Sequence, residues 1–193
     1  MQSCRVALLD EPPFLFYSPD AMHHAYLETA LGDMGLGWTE RGLARLALPG
    51  ANLHNLLSRW GHPAEPPAFL HPVIERILAY ALGESVEFDD IALDFGVVPD
   101  FNRACYADIR KLKWGQTTTY GAIARRLGDG NLSRVVGQAM GANPIPLIVP
   151  CHRVLGADGK AGGFSGPGGV PFKMRMLALE QAASPQGQLA FGF

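Results

Sequence analysis

Apolar residues recur along this chain at two spacings, one strand-like and one helical. Residues 36–48 alternate about a glycine-bearing turn: Leu36-Gly37-Trp38-Thr39, then Glu40-Arg41-Gly42, then Leu43-Ala44-Arg45-Leu46-Ala47-Leu48. Successive side chains on a strand point to opposite faces, so this pattern predicts a β-hairpin. At 73, 74, 77, 78, 81 and 82 the apolar residues share one helical face, and Gly83 stands where such a helix would stop. Pro63, Pro66, Pro67 and Pro72 lie just before it and predict a surface crossing, and a short extended segment is expected over residues 88–95. Residues 1–20, with Pro12, Pro13 and Pro19, read as a loosely held lead-in.

Beyond residue 100 the period is helical and well punctuated. Asp100 is expected to cap a helix with Phe101, Ala104, Cys105, Ile109 and Leu112 inward, closed by Gly115. Cys105 lies on that stripe and is read as core. Thr119 caps the next helix, with Tyr120, Ile123, Ala124 and Leu127 on its face and Gly128 at its end. Asn131 is expected to cap a third, with Leu132, Val135, Val136, Ala139 and Met140 inward and Gly141 as its stop. Two short helices joined by a tight glycine turn predict a helix-turn-helix, whose second helix enters a groove. Gly162, Gly163, Gly166, Gly168 and Gly169 form a flexible loop where a wing would lie, and Pro171 opens a last helix through Glu180.

With 193 residues the chain can form one large domain or two small ones, each burying a core. Its longest apolar runs fall far short of a membrane span, and residues 1–20 lack the basic start and apolar stretch of a secretory signal. Cys4, Cys105 and Cys151 are too few for a disulfide framework and suit a reducing compartment, so a cytoplasmic protein is expected. The net charge of −2 argues at first sight against a nucleic-acid partner. Yet residues 1–100 hold 5 Lys+Arg against 14 Asp+Glu, whereas residues 101–193 hold 11 against 4. Such segregation is expected when only one half faces phosphate.

The richest chemistry lies in Ile145-Pro146-Leu147-Ile148-Val149-Pro150-Cys151-His152-Arg153-Val154. An apolar, strand-like run stops at Pro150, which fixes its own φ and biases Val149 toward extended geometry. The backbone that presents Cys151 is thereby held. A thiol attacks as thiolate, and a histidine within reach, directly or through one water, is a standard means of making one. Cys151 beside His152 leaves open a buried structural cysteine, a cysteine hydrolase or another nucleophilic thiol.

The longer string narrows the choice. Asn143-Pro144-Ile145-Pro146, Pro150-Cys151-His152-Arg153-Val154 and Gly162-Gly163-Phe164-Ser165-Gly166 closely resemble the O6-alkylguanine-DNA alkyltransferases, or methylated-DNA–protein-cysteine methyltransferases. The likeness extends over about residues 101–180. It implies an α/β protein: a ribonuclease H-like scaffold domain over 1–98, a winged helix-turn-helix alkyltransferase domain over 99–183 and a disordered tail over 184–193. It also implies DNA repair without a cofactor. A methyl or alkyl group would pass irreversibly from O6 of guanine, or O4 of thymine, to Cys151 of a monomer, after the base is flipped out of duplex DNA.

By the same resemblance Arg134 is the finger that fills the gap in the base stack, while Gly137 and Ala139 let the helix approach DNA closely. Tyr120 donates a proton to the departing base. His152 reaches Cys151 through a water, and Glu180 orients its imidazole. Asn143 binds the backbone turns around the cysteine, and the carbonyls of Cys151 and Val154 accept the guanine amine. The main-chain N–H of Ser165 approaches O6, and Met140, Pro146 and Phe164 wall the pocket. Phe164 stands where the family often has tyrosine, which keeps the stacking and loses a hydroxyl. Some relatives hold zinc in the first half, but Cys4, His23 and His24 are too few ligands, so no metal is expected. One rival is a non-catalytic alkyltransferase-like lesion binder, a kind that lacks the acceptor cysteine. The tail ends Gly187-Gln188-Leu189-Ala190-Phe191-Gly192-Phe193, faintly like peptides that dock on replication sliding clamps.

Overall fold

The computed structural model describes residues 22–184 and 187–188. The lead-in over 1–20 with its Cys4, and most of the tail with its clamp-docking sequence, lie outside the described residues. The chain divides into two units, Met1–Glu84 with Asp90–Gly96 and Ser85–Asp89 with Val97–Phe193.

In the first unit the hairpin expected over 36–48 is present as β2 (Met34–Thr39) and β3 (Gly42–Ala47). The strand β1 (His23–Leu27), which no sequence pattern announced, pairs antiparallel with β2. A two-residue strand β4 (His62–Pro63) runs parallel to β1, giving a mixed sheet in the order β3-β2-β1-β4. Every residue of β2 is buried, so the strand is not the half-exposed element that alternation suggests. Its glycines explain this. A Cβ on Gly35 would collide with Leu57 of the short helix α1 (Leu53–Leu57), and one on Gly37 would lie 2.9 Å from the Trp60 ring. The absent side chains admit α1 and Trp60 onto the sheet. Helix α2 (His71–Ala81) begins two residues before the predicted stripe because Pro72 suits a first turn, and Gly83 follows at φ +86°. Leu82 ends that stripe exposed, at the helix cap.

The second unit is mainly helical. Helix α3 (Asp100–Ile109) takes Pro99, not Asp100, as its cap; Asp100 sits in the first turn, where its charge complements the dipole. Tyr106, Cys105 and Ile109 form its buried face, whereas Ala104 is exposed. The Thr119 side chain caps α4 (Tyr120–Arg126) by accepting the Ala122 N–H at 3.1 Å. Such a cap contributes about 1 kcal/mol. Asn131 is not the next cap. Asp129 accepts the Asn131 N–H and opens a 3-10 turn over Gly130–Leu132, and α5 (Ser133–Gly141) follows it directly. Val135, expected inward, is 39% exposed. Two short segments pair in parallel as β5 (Thr118–Thr119) and β6 (Val154–Leu155). The last helix, α6 (Gly169–Leu179), starts two residues earlier than predicted and carries Glu180 as its cap. Among the described residues no helix is long and apolar enough to cross a membrane.

Candidate active site

Residues 145–150 are a compact turn, not the strand their apolar character suggested. The Val149 N–H returns to the Ile145 carbonyl at 2.9 Å, and Leu147 is held at φ +76°, an uncommon conformation for a bulky side chain. Asn143 braces the turn from both sides. Its amide donates to the Val149 carbonyl at 2.8 Å, and its side-chain oxygen accepts the Ile145 N–H at 3.0 Å. Pro150, at φ −80° and ψ 65°, closes an inverse γ-turn in which the Cys151 N–H meets the Val149 carbonyl at 2.8 Å. Cys151 then opens a 3-10 turn over Cys151–Arg153.

Beside that turn lies a cavity of about 510 Å³, lined by Tyr120, Gly137, Met140, Gly141, Cys151, Gly163, Phe164 and Ser165. Six predicted residues therefore meet there: Tyr120, Gly137, Met140, Cys151, Phe164 and Ser165. The loop wall is fixed at two points. The Ser165 hydroxyl donates to the Gly141 carbonyl at 3.1 Å, and the Phe164 ring lies so close over Gly166 that a Cβ there would be 2.6 Å from it. Pro146 and Val154 are not among the residues that line this cavity. The Val154 carbonyl, expected to meet a base, accepts the Lys173 ammonium at 2.6 Å. Arg134 is exposed in the first turn of α5. Ala139 is buried, as its place on the inward stripe predicts, and its carbonyl accepts the Tyr106 hydroxyl at 2.9 Å, so its side chain packs in the core.

Behind the cysteine sits a buried ionic cluster. His152 Nε2 lies 2.7 Å from Glu180 Oε1. Arg153 grips the same carboxylate through Nε at 2.8 Å and Nη2 at 3.1 Å, and donates Nη1 to the Leu112 carbonyl. Burial alone would raise the Glu180 pKa, but His152 and Arg153 overcome it and hold the carboxyl at about 2. Burial keeps His152 neutral despite Glu180. A neutral ring that donates Nε2–H to Glu180 has Nδ1 as its basic nitrogen. Burial also pushes the Cys151 thiol up, opposed by a hydrogen bond from Asn143 and the charge of Lys173. Tyr120 is pushed up by burial and then by Cys151, so it stays protonated and able to donate.

Two of these groups carried no role in the sequence reading. Arg153 stands in the motif string without a role of its own, and the signal for it is a charge set beside an apolar run. Lys173 lies seven residues before Glu180, two helical turns on the same face, and that spacing was the signal for it. Among the described residues no cluster of three or more His, Cys, Asp or Glu is placed to hold a metal ion.

Residues 100–182 match the family model for the 6-O-methylguanine DNA methyltransferase, DNA binding domain. A methylated-DNA–protein-cysteine methyltransferase of Mycolicibacterium paratuberculosis is 42% identical over 134 residues, covering 69% of this chain and 78% of the relative. A DNA base-flipping protein of Thermus thermophilus is 37% identical over 157 residues, covering 81% and 99%. The crystal structure of Mycobacterium tuberculosis OGT in complex with DNA superimposes with a TM-score of 0.66 at 31% identity, covering 82% of this chain and 92% of that one.

Proposed function

Since the chain belongs to the methylated-DNA–protein-cysteine methyltransferase family, we propose that Cys151 accepts an alkyl group from O6-alkylguanine in duplex DNA. The activity is DNA repair by transfer to a protein cysteine, after base flipping. The observation that carries the assignment is a buried thiol opening into a 510 Å³ cavity beside Tyr120 and against the His152–Glu180–Arg153 cluster.

An alkylated O6 is hidden inside a duplex, so the nucleotide must rotate out and seat its base in the cavity. We read α4, α5 and the glycine loop as a winged helix-turn-helix over 99–183 and the first unit as a ribonuclease H-like scaffold over 1–98. Arg134, exposed on the first turn of α5, supplies the finger that fills the gap, and Gly137 leaves the backbone open to the base. Cys151 loses its proton toward His152 Nδ1 through a bridging water, and the thiolate attacks the alkyl carbon in line. The S–C bond forms as the C–O6 bond breaks, and the electron pair leaves on the guanine. Tyr120 gives its proton to the departing base, help worth roughly 100- to 10,000-fold. O4-methylthymine is a second substrate in this reading. The product is a neutral thioether with no easy route back to thiolate, so each molecule acts once.

The likeness to a DNA base-flipping protein favours one alternative, a binder that flips lesions without repairing them. The thiol in the cavity argues against it. Intact-mass analysis after incubation with a duplex bearing one O6-methylguanine separates the two. The expected result is one methylene added, on the peptide holding Cys151, at no more than one equivalent per chain. Cys151→Ala should still bind the duplex and transfer nothing. Label on Cys4 or Cys105, or repeated turnover, would overturn the assignment.

A further inference from the structure

We propose that Lys173 is an electrostatic positioning residue of the acceptor site, its buried ammonium serving as counter-cation for the Cys151 thiolate. The proposal rests on the reading of Cys151 as the acceptor.

Lys173 is 0% exposed. Full burial of a lysine is rare and unfavourable without a partner anion. Among the described residues no carboxylate pairs with it. Its ammonium donates to the Val154 carbonyl at 2.6 Å and, more weakly, to the Gly162 carbonyl at 3.4 Å. It also stands 6.0 Å from the centroid of the Tyr120 ring, which lines the cavity with Cys151. One side chain on α6 thus ties the strand that follows the cysteine turn to the start of the glycine loop.

The surroundings explain why the charge is kept there. Around the thiol, α3 offers Tyr106, α4 offers Tyr120 and the turn itself offers His152, all neutral. Arg153 is matched by Glu180. Among the described residues the ammonium of Lys173 is a full charge that favours the Cys151 thiolate. Burial lowers the lysine to about 8, and the charge of Cys151 works in the opposite direction. Attack requires a thiolate, and a cation held close in a dry site stabilises it far more than one in water. Because Lys173 and Glu180 share a face two turns apart, one helix delivers a cation to the nucleophile and an anion to its base.

The test is the pH dependence of Cys151 alkylation by iodoacetamide, read by mass on the Cys151 peptide, in wild type and Lys173→Met. The apparent pKa of the thiol should rise by about one unit or more, with a roughly tenfold or greater loss of alkylation rate near neutral pH. Methyl transfer from the methylated duplex should slow in parallel. Lys173→Arg keeps the charge and should keep the thiol near its wild-type pKa. A folded Lys173→Met with slowed transfer but an unshifted thiol pKa would overturn the proposal, as would an Arg variant as shifted as the Met variant. Should Lys173→Met fail to fold, the wild-type protein suffices. With carbon-13-labelled lysine, the NMR titration midpoint of Lys173 should fall once Cys151 carries a methyl group, because charge coupling is mutual. An unchanged midpoint would overturn the proposal. Failure of wild-type Cys151 to take the methyl group would strike the acceptor assignment itself and not the lysine.

Discussion

The two units bury polar chemistry in opposite ways. In the first, the buried polar side chains among the described residues are His24 and Thr39, and the ion pairs there reach solvent, as with Arg41 at 61% exposure against Asp94. In the second, His152, Arg153, Lys173 and Glu180 are all buried, and all lie within thirty residues of sequence around Cys151. A fold has little reason to bury charge for stability, since well-packed apolar residues usually do as well. The first unit follows that rule. The second departs from it around one thiol, which marks where chemistry shaped the core.

The sharpest way to break that contrast is through matched tyrosines. Tyr120→Phe should slow methyl transfer about 100- to 10,000-fold, measured as single-turnover label on the protein, because the proton donor is lost while the ring remains. Tyr26 in the first unit also has a raised pKa, about 12, owing first to its hydrogen bond with Asp33. Tyr26→Phe should leave the transfer rate unchanged. Similar losses from both would show that an altered fold, not a lost proton donor, is being measured.

Matched arginines come next. Arg153→Met leaves Glu180 buried with His152 alone, and removing one partner of a buried pair costs roughly 3–5 kcal/mol. Arg41→Ala breaks an exposed pair and should cost about 0–1 kcal/mol. Urea unfolding of the two variants measures both. Equal costs would mean that the buried cluster is hydrated and the contrast between the units is false.

Much of this site could be read in the sequence, and the gaps have physical causes. The string from Asn143 to Val154 is local, and the hydrogen bonds of Asn143 are local too, so the brace on the turn needed only neighbours. Helix periodicity located α2 through α6 to within a few residues, because Thr119, Gly83 and Gly141 act on the chain beside them. What failed was decided by distant partners. The strand β1 is fixed by pairing with β2, and the burial of β2 on both faces depends on Leu57 and Trp60 meeting Gly35 and Gly37. Ala139 fits both the inward stripe and, by its size, a DNA face, and Tyr106, a residue left off the predicted stripe of α3, decides for the core by donating to its carbonyl. A helix with residues of both kinds at 135 and 139 has two plausible faces, and only packing chooses between them. The burial of Lys173 is not legible in the sequence, because a lysine near a glycine loop reads as solvated and its burial is a tertiary fact.

A gentler probe is acid. Each unit holds a neutral, buried histidine, His24 and His152, with its pKa lowered mainly by burial. Below the ordinary value of 6.5 the unfolded chain takes up a proton that the folded site refuses. Stability should therefore fall as pH drops below 6.5, by up to about 1.4 kcal/mol per pH unit for each histidine. A further loss begins below 4.5 and runs to about 2, as Glu180 is protonated out of its cluster. Thermal unfolding across pH 4–8 should show the first window, and His24→Asn should flatten it in part. A slope untouched by that change would mean that His24 accepts its proton in place.

The smallest expected effect concerns DNA, and it corrects a count. The 11 Lys+Arg beyond residue 100 suggest a strongly cationic surface, with binding that weakens steeply in salt. The structure engages most of them internally. Arg103 and Arg110 donate to backbone carbonyls, Lys113 meets Glu87 and Asp89, and Arg126 grips Asp108. Arg153 and Lys173 belong to the buried site. The side chains of Lys111, Arg125 and Arg134 form no hydrogen bond or ion pair among the described residues. Each phosphate contact contributes about −0.9 to the slope of log K against log salt, so roughly three contacts give a slope near −3. Fluorescence anisotropy with a short duplex from 50 to 300 mM salt measures it. Arg125→Gln should reduce the slope by about one, and Arg126→Gln should leave it alone because its guanidinium already has a carboxylate. A slope of about −6 or steeper, or equal effects of the two substitutions, would mean that the internal pairs open on DNA and that the second unit's charges are less committed than its structure indicates.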